Sequence, residues 1–371
     1  MDTTVPEFDL TTVEGLRAYL TAKGQYRDDE IVILSGGTAN YVYRATTTKN
    51  STRVYKHAAP HSHSNKTFAL DIRRMDYEAL ILDLLSSTNP RSPLLQQSLQ
   101  STAQAVPLLS YDQEHKLLCI ADGGPRNLKS AYTDPQLDMQ NIGARLAHWL
   151  AMLHSNTKYT SLTLPSQTHA SKPSNDNNPI ALQLYRHSYN NLHIALSEYN
   201  HDAELGVEIN KQFGSLLATD EECICHGDFW PGNILIQNSN TQEHTGGLTV
   251  VDWELVRRGT SATDVGQFAA EAFLLDRFMG GRGLLGAFLG AYVGVRGAGV
   301  DKGWVRRMVV HWAVHVAYWP TRVAWTDQEG TQGLVNMGVE VLRAVLEDEW
   351  EGLGELALLG GVKGVIGGVL V

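Results

Sequence analysis

An acid at position 228, an amide at 233 and a second acid at 252 are the side chains of this sequence best placed to do chemistry. They stand in Cys225-His226-Gly227-Asp228-Phe229-Trp230-Pro231-Gly232-Asn233 and in Val250-Val251-Asp252-Trp253-Glu254. Residues 233–237 alternate well enough for a strand, 238–247 carry turn chemistry, and 248–251 form a second β-rich run. A hairpin of that size brings Asn233 and Asp252 side by side at one end, with Asp228 on the loop leading in. Two oxygen ligands and a nearby free carboxylate are what a magnesium–nucleotide phosphoryl-transfer site requires. Mg2+ takes one or two side-chain oxygens plus the substrate's phosphates, and the proton of an attacking hydroxyl needs an acceptor within reach. A hairpin whose acids merely cap turns is the plainer alternative. Three polar positions in this order between apolar strands argue against it.

The spacing Asp-x-x-x-x-Asn followed by Asp-aromatic-x resembles the catalytic-loop and metal-loop signature of the protein-kinase-like fold. In detail it is similar to the aminoglycoside phosphotransferase and choline kinase branch, which carries His-Gly-Asp for His-Arg-Asp and Asp-Trp-Glu or similar for Asp-Phe-Gly. The resemblance implies an α+β architecture: a small N-terminal lobe with an antiparallel sheet and one helix (residues 1–122), then a larger, mainly helical catalytic and acceptor-binding lobe (123–371). It also implies ATP and Mg2+ as cofactors, a small-molecule acceptor, Asn233 and Asp252 as metal ligands, and Asp228 as the residue that orients and deprotonates the acceptor hydroxyl.

The elements that must position these groups can be taken in chain order. Residues 8–23 have helical spacing at Val13, Leu16 and Leu20. Residues 31–45 read as strand, glycine turn, strand. In a nucleotide kinase such a hairpin lies over the triphosphate, with Gly36, Gly37 and Thr38 at its tip and no Cβ of the glycines in the way. Lys56, on a strand over 52–57, has the order of the kinase lysine that meets the α- and β-phosphates; a solvent-facing strand lysine is the ordinary alternative. His57, His61 and His63 sit in or beside a Pro/Ser/Asn-rich stretch without an acidic or thiol partner, and read as a mobile loop rather than a metal site. A helix is expected over 68–85. Within it, the resemblance makes Glu78 the carboxylate that holds Lys56, with Asp71, Asp76 and Asp83 as competitors.

Strand-like runs over 106–111 and 116–121 lead to Asp122-Gly-Gly-Pro, the expected hinge, where the resemblance gives the main chain of Ile120, Ala121 and Asp122 to the adenine edge. Residues 141–153 and 182–196 read as amphipathic helices, and the Ser/Thr/Asn/Pro-rich stretch 155–180 between them as a mobile insertion. Asp264 is placed as the N-cap of a helix over 265–278, an acid that in similar enzymes steadies the catalytic loop. Gly281-Arg-Gly-Leu-Leu-Gly286 matches a dinucleotide fingerprint in letters, but a helix rather than a strand precedes it. Trp304, His311, Trp312, His315, Trp319 and Trp325 are either lobe packing or part of an aromatic acceptor pocket.

Composition excludes several classes. With 371 residues, 43% of them hydrophobic and 19% charged, the chain is that of a packed globular protein. A formal charge of −10 argues against a nucleic-acid binder. No apolar run is long enough to span a bilayer, the Gly-rich stretch 356–371 included. The N-terminus lacks a secretory pattern, and the odd count of cysteines (Cys119, Cys223 and Cys225) fits reduced thiols, so the expectation is a cytoplasmic protein with no membrane partner. Two rival readings are a protein kinase, which would need a long activation segment and an Ala-Pro-Glu that this chain lacks, and a nucleotide-binding regulatory pseudoenzyme of the same fold. The acceptor remains open among amino alcohols, aminoglycoside-like and sugar-like compounds.

Overall fold

The computed structural model describes residues 8–25, 30–34, 37–46, 51–86, 89, 103–164, 177–237 and 246–349. Helix α1 (Val13–Ala22) is capped by Thr12, whose hydroxyl accepts the Gly15 amide. It precedes strands β1 (Glu30–Ile33), β2 (Tyr41–Thr46) and β3 (Thr52–His57) and helix α2 (Arg74–Leu85). Strands β4 (Ala103–Ala105), β5 (Leu108–Asp112) and β6 (Leu117–Ala121) follow. Five of these strands form one antiparallel sheet in the order β1-β2-β3-β6-β5.

The period-two alternation of side chains divides this sheet into two faces. Tyr43, Tyr55 and Cys119 pack with Leu16, Tyr19 and Leu20 of α1. Val54, Leu118 and Ile120 face the other way, into a core shared with Met75, Ile81 and Leu82 of α2 and continuous with the rest of the molecule. Lys56 lies two residues after Val54, so parity alone turns it toward α2.

β4 belongs elsewhere. It pairs in parallel with strand β10 (Leu248–Val250) of the second lobe, and the Val106 amide continues the ladder to Val250 O at 2.9 Å. The second lobe begins with β7 (Arg126–Asn127) and the short helix α3 (Leu128–Ala131), then α4 (Met139–Asn156), α5 (Pro179–Tyr185), α6 (His187–Glu198) and α7 (Ala203–Ile209). Next come strands β8 (Cys223–Cys225), β9 (Ile234–Ile236), β10 (Leu248–Val250) and β11 (Arg257–Gly259). Helices α8 (Ser261–Phe278), α9 (Leu284–Arg296), α10 (Lys302–Tyr318) and α11 (Gln328–Leu346) complete the described chain. The architecture is protein-kinase-like, a sheet-based small lobe on a mostly helical large one. No helix among the described residues is long and apolar enough to cross a membrane.

Several expectations are corrected by local chemistry. The helix expected from residue 68 starts at Arg74, because Asp71 first takes the Arg73 amide and guanidinium and turns the chain; Phe68 is left exposed. The histidine stretch is not a free loop. The His63 and Ser64 amides donate to Ala39 O and Thr38 O, so it is bonded to the glycine hairpin, and His57, His61 and His63 surround the Tyr41 ring. Of the insertion expected over 155–180, residues 165–176 lie outside the described residues, as do the hairpin tip 238–245 and the tail 356–371. Its two ends are pinned: Thr157, Asn177 and Asn178 are buried, and the Asn178 side chain donates to Val256 O at 2.9 Å and caps α5. The helix over Asp264 begins at Ser261 with Thr260 as its cap, which puts Asp264 inside the first turn. The dinucleotide-like glycines connect α8 to α9. There Asp276 accepts the amides of Arg282, Gly283 and Leu285, so a carboxylate of the chain itself already sits at that helix start.

Helix α4 packs on α9 through Gly143. A Cβ at that position would lie 2.9 Å from Leu284 O and 3.3 Å from the Phe288 amide. Gly143→Val is therefore expected to cost about 1–3 kcal/mol of stability, read as a lower urea midpoint at unchanged slope.

Candidate active site

The loop after β8 is held from below by one carboxylate. Asp264, fully buried, accepts the amides of His226 at 2.6 Å and Gly227 at 3.1 Å, and meets His154 Nε2 at 3.3 Å. Burial opposes its charge, but His154 and Arg257 outweigh that and hold its pKa down at about 2. Gly227 has φ +86°, and a Cβ there would fall 1.9 Å from Leu255 O, so only glycine fits between the histidine and the acid. Burial lowers the His226 pKa to about 4. Neutral at ordinary pH, its Nδ1 takes the Asp228 amide (3.1 Å) and its Nε2–H reaches Val251 O (3.0 Å). One ring thus ties the loop carrying Asp228 to the strand end carrying Asp252. Phe229 points inward against Trp149 and Phe268, which leaves Asp228 and Trp230 on the half-buried side.

Each oxygen of the Asp228 carboxylate has a neutral donor: Asn233 Nδ2 at 3.0 Å on one and Gln267 Nε2 at 2.7 Å on the other. Burial and the neighbouring Asp252 charge raise its pKa to about 7. Asn233 is placed by the β9–β10 hairpin, whose ladder ends with the Val251 amide on Asn233 O at 3.0 Å, one residue before Asp252. Both side-chain hydrogen bonds that fix Asn233 use Nδ2. The remaining amide oxygen and the Asp252 carboxylate are hard oxygen donors of the kind that could hold Mg2+.

Asp252 occupies left-handed backbone space (φ +67°) and pairs with the Lys56 ammonium, which also meets Glu78 Oε2 at 2.7 Å. The other Glu78 oxygen accepts the Trp253 amide at 3.3 Å. Burial works against the Lys56 charge, but the carboxylates of Asp252, Glu78 and Glu254 raise its pKa above the ordinary lysine value. Two carboxylates share this one ammonium. Burial is only partly offset at Glu78, whose pKa rises, while at Asp252 the Lys56 charge overcomes it and the pKa falls.

Of the other predicted residues, Gly36 lies outside the described residues, and Gly37 and Thr38 stand at the start of the segment bonded to Ser64. Ile120 and Ala121 close β6, and the Ala121 amide already donates to Pro107 O at 2.9 Å. Asp122 pairs with Arg44 at 2.7 Å. Trp312 is core, packed on Phe273, and His311 is clamped between Tyr185 and Tyr189.

Four contributors escaped the sequence reading. Gln267, three residues after Asp264 on the same helix, is one of them. The others are Asn40, Arg74 and Glu254: Glu254 accepts Asn40 Nδ2 at 2.7 Å and Arg74 Nε at 3.0 Å, and Arg74 donates on to Asn40 Oδ1. The i, i+3 relation of Asp264 to Gln267 was a usable signal. The Arg74–Glu254 pairing, 180 residues apart in sequence, had none.

Residues 30–306 match the model of the phosphotransferase enzyme family. A 4-hydroxytryptamine kinase of Psilocybe cyanescens is 26% identical over 369 residues, covering 93% of this chain and 96% of its own. A second, of Psilocybe cubensis, is 23% identical over 356 residues, covering 90% and 92%. Among solved structures, an amicoumacin kinase in complex with AMP-PNP, Ca2+ and Ami superposes with a TM-score of 0.52 at 12% identity, over 91% of this chain and 96% of that one. This last likeness shows the shared fold.

The raised Asp228 pKa makes a signed prediction for stability. Between about pH 4 and 7 the folded state binds a proton that the unfolded chain releases, so this group's contribution is whole below pH 4 and lost as pH rises through 7. Asp228→Asn removes the charge, and Gln267 can flip its amide to keep its hydrogen bond. The variant is expected to melt higher than the wild type at pH 8, with the gap closing toward pH 4 in a series of thermal melts.

Proposed function

The chain belongs to the phosphotransferase enzyme family, and from that premise we propose an ATP- and Mg2+-dependent kinase that phosphorylates a hydroxyl of a small amine-bearing molecule. The observation that carries this reading is the Asp228 carboxylate, held by two neutral donors, with a pKa near 7, beside the Lys56–Asp252 pair. A base whose pKa sits near the working pH combines availability with driving force for taking a proton.

In this reading residues 1–122 form the nucleotide lobe, apart from β4, which joins the large-lobe sheet, and 123–371 the catalytic and acceptor lobe. Asn233 and Asp252 hold the metal ion, which when bound neutralises phosphate charge. Lys56, fixed by Glu78, contacts the α- and β-phosphates. Gly36, Gly37 and Thr38 cover the triphosphate, and the main chain at Ile120, Ala121 and Asp122 meets the adenine. Asp228 aligns the acceptor hydroxyl and takes its proton while the oxygen bonds to the γ-phosphorus and ADP departs. The names of the Psilocybe relatives favour a hydroxylated aromatic amine as acceptor. Three free, buried cysteines fit action in the reducing cytoplasm.

The test measures ADP release with 4-hydroxytryptamine and other hydroxylated amines, alongside equilibrium Mg-ATP binding. Asp228→Asn is expected to lower turnover by roughly 10²- to 10⁴-fold with Mg-ATP affinity kept; equal losses of both would make Asp228 a ligand and not a base. In the wild type, turnover should climb with pH and level off above about 7, as the carboxyl ionises.

A further inference from the structure

Directly behind the loop that carries Asp228, two thiols and an imidazole meet. Cys223 and Cys225 stand two apart on β8 and so point to the same side of it. The third member is His154, near the end of α4. All three are fully buried and both cysteines are free. Their two sulfurs and one ring nitrogen lie within 4.8 Å of one another. The phosphoryl-transfer chemistry uses none of these groups as a reactant.

A disulfide suits this spacing poorly. Two residues along a strand separate the Cα atoms by about 6.6–6.8 Å, the far end of the range that a disulfide spans. A metal ion suits it better. Bonds of about 2.3 Å to sulfur set two trigonal donors about 4 Å apart, so the three groups need to draw in by less than about 1 Å.

Two features choose the kind of ion. The first is the donor count. No further imidazole, thiol or carboxylate joins the group among the described residues, and full burial leaves no face open to water. Zn2+ in a closed site is four-coordinate, whereas Cu(I) accepts fewer donors when they are soft. The second is Arg257, which lies directly opposite Cys225 in the β8–β11 pairing, with Gly259 opposite Cys223. Residues opposite one another share a face of the sheet. Arg257 is fully buried; its Nη2 donates to Thr263 Oγ1 at 2.7 Å and its guanidinium stacks on Tyr185. Its Nε and Nη1 have no acceptor among the described residues. A Cβ at Gly259 would come 3.2 Å from the Cys225 sulfur and 3.4 Å from Arg257 Nε, so both border the space that the missing side chain leaves. A buried guanidinium with unpaired N–H groups is costly. Two thiolates around a monovalent ion carry one net negative charge, which matches it; around a divalent ion they carry none.

We infer that His154, Cys223 and Cys225 form a site for one soft monovalent metal ion, Cu(I), which ties α4 to β8 behind the loop. On binding, the two S–H bonds break, both protons pass to solvent and two metal–sulfur bonds form, with no change of oxidation state. Whichever ring nitrogen of His154 takes the ion releases a partner, Tyr292 at Nδ1 or Asp264 at Nε2. The site stands apart from the kinase reading, and none of its readouts is turnover.

The experiment titrates the reduced whole chain with Cu(I), without oxygen, against the chelator bathocuproine disulfonate, and records the copper X-ray absorption edge. A parallel titration uses Zn2+. One Cu(I) per chain is expected to be withheld from the chelator, with two sulfur neighbours and one nitrogen. Cys119→Ala, which removes the buried thiol of the small lobe, should keep that ion. Cys223→Ala and Cys225→Ala should each lose it, and His154→Ala should lose the nitrogen neighbour. Copper retained by both β8 variants would overturn the inference, as would a wild-type spectrum without the two sulfurs. So would Zn2+ held by these residues against Cu(I), or an intact mass short of two hydrogens, the mark of a Cys223–Cys225 disulfide. Thermal melts identify a variant that fails to fold; should both β8 variants be such, the wild-type spectrum and Cys119→Ala decide.

Discussion

A single buried ammonium, that of Lys56, is the constraint on which the rest of this structure depends. Taken from water, it is tolerable only if carboxylates meet it, and they come from two separate elements: Glu78 on α2 and Asp252 after β10. The pair fixes how far β3 sits from α2 and how the small lobe sits on the β9–β10 hairpin. Glu78 adds a backbone contact to Trp253, so the turn that carries Asp252 is held at two points. A second buried pairing, Arg74 with Glu254, closes the same gap two residues further on and includes Asn40 from the end of the glycine hairpin. Removing one partner from such a cluster strands a charge away from water, which is why these groups act as a unit.

Below that cluster the large lobe supplies its own scaffold. Asp264 holds the amides of His226 and Gly227, and His226 holds the amide of Asp228 and the carbonyl of Val251. Each link uses a group whose charge state is set by its surroundings: an acid kept ionised against burial by His154 and Arg257, and an imidazole kept neutral by burial. At the outer end of this stack Asp228 has neutral donors and the Asp252 charge for neighbours, and burial together with that charge raises its pKa to about 7. The difference between the ionised Asp264 and the half-ionised Asp228 follows the charge of their partners, cationic at one and anionic at the other, not residue type.

Much of this was legible in the chain. The Asp-x-x-x-x-Asn spacing, the apolar hairpin after it and the parity that turns Lys56 inward are local, and local patterns survive into three dimensions. Hence the β9–β10 hairpin and helix α4 could be read from periodicity, and the fold class from the resemblance that the Asp-x-x-x-x-Asn and Asp-aromatic-x spacing carries. What was not legible is long-range or competitive. Arg74 and Glu254 carry no mark of each other. The start of α2 was lost because Asp71 competes for Arg73, and the cap of α8 because Thr260 stands four residues before the acid that looked like a cap. The Asn177–Asn178 pair looked like loop composition, yet both side chains end up buried against the backbone of the segment after Asp252.

The parallel pairing of β4 with β10 limits how the lobes can move. Residue 106 is bonded to the large lobe through Val250, and residue 107 to the small lobe through Ala121. At this crossing the boundary is therefore one peptide unit wide, and the proline there locks its own φ while restricting the valine before it. The two lobes are stitched at this edge by adjacent residues, so neither can shift there without straining the hydrogen bond of the other.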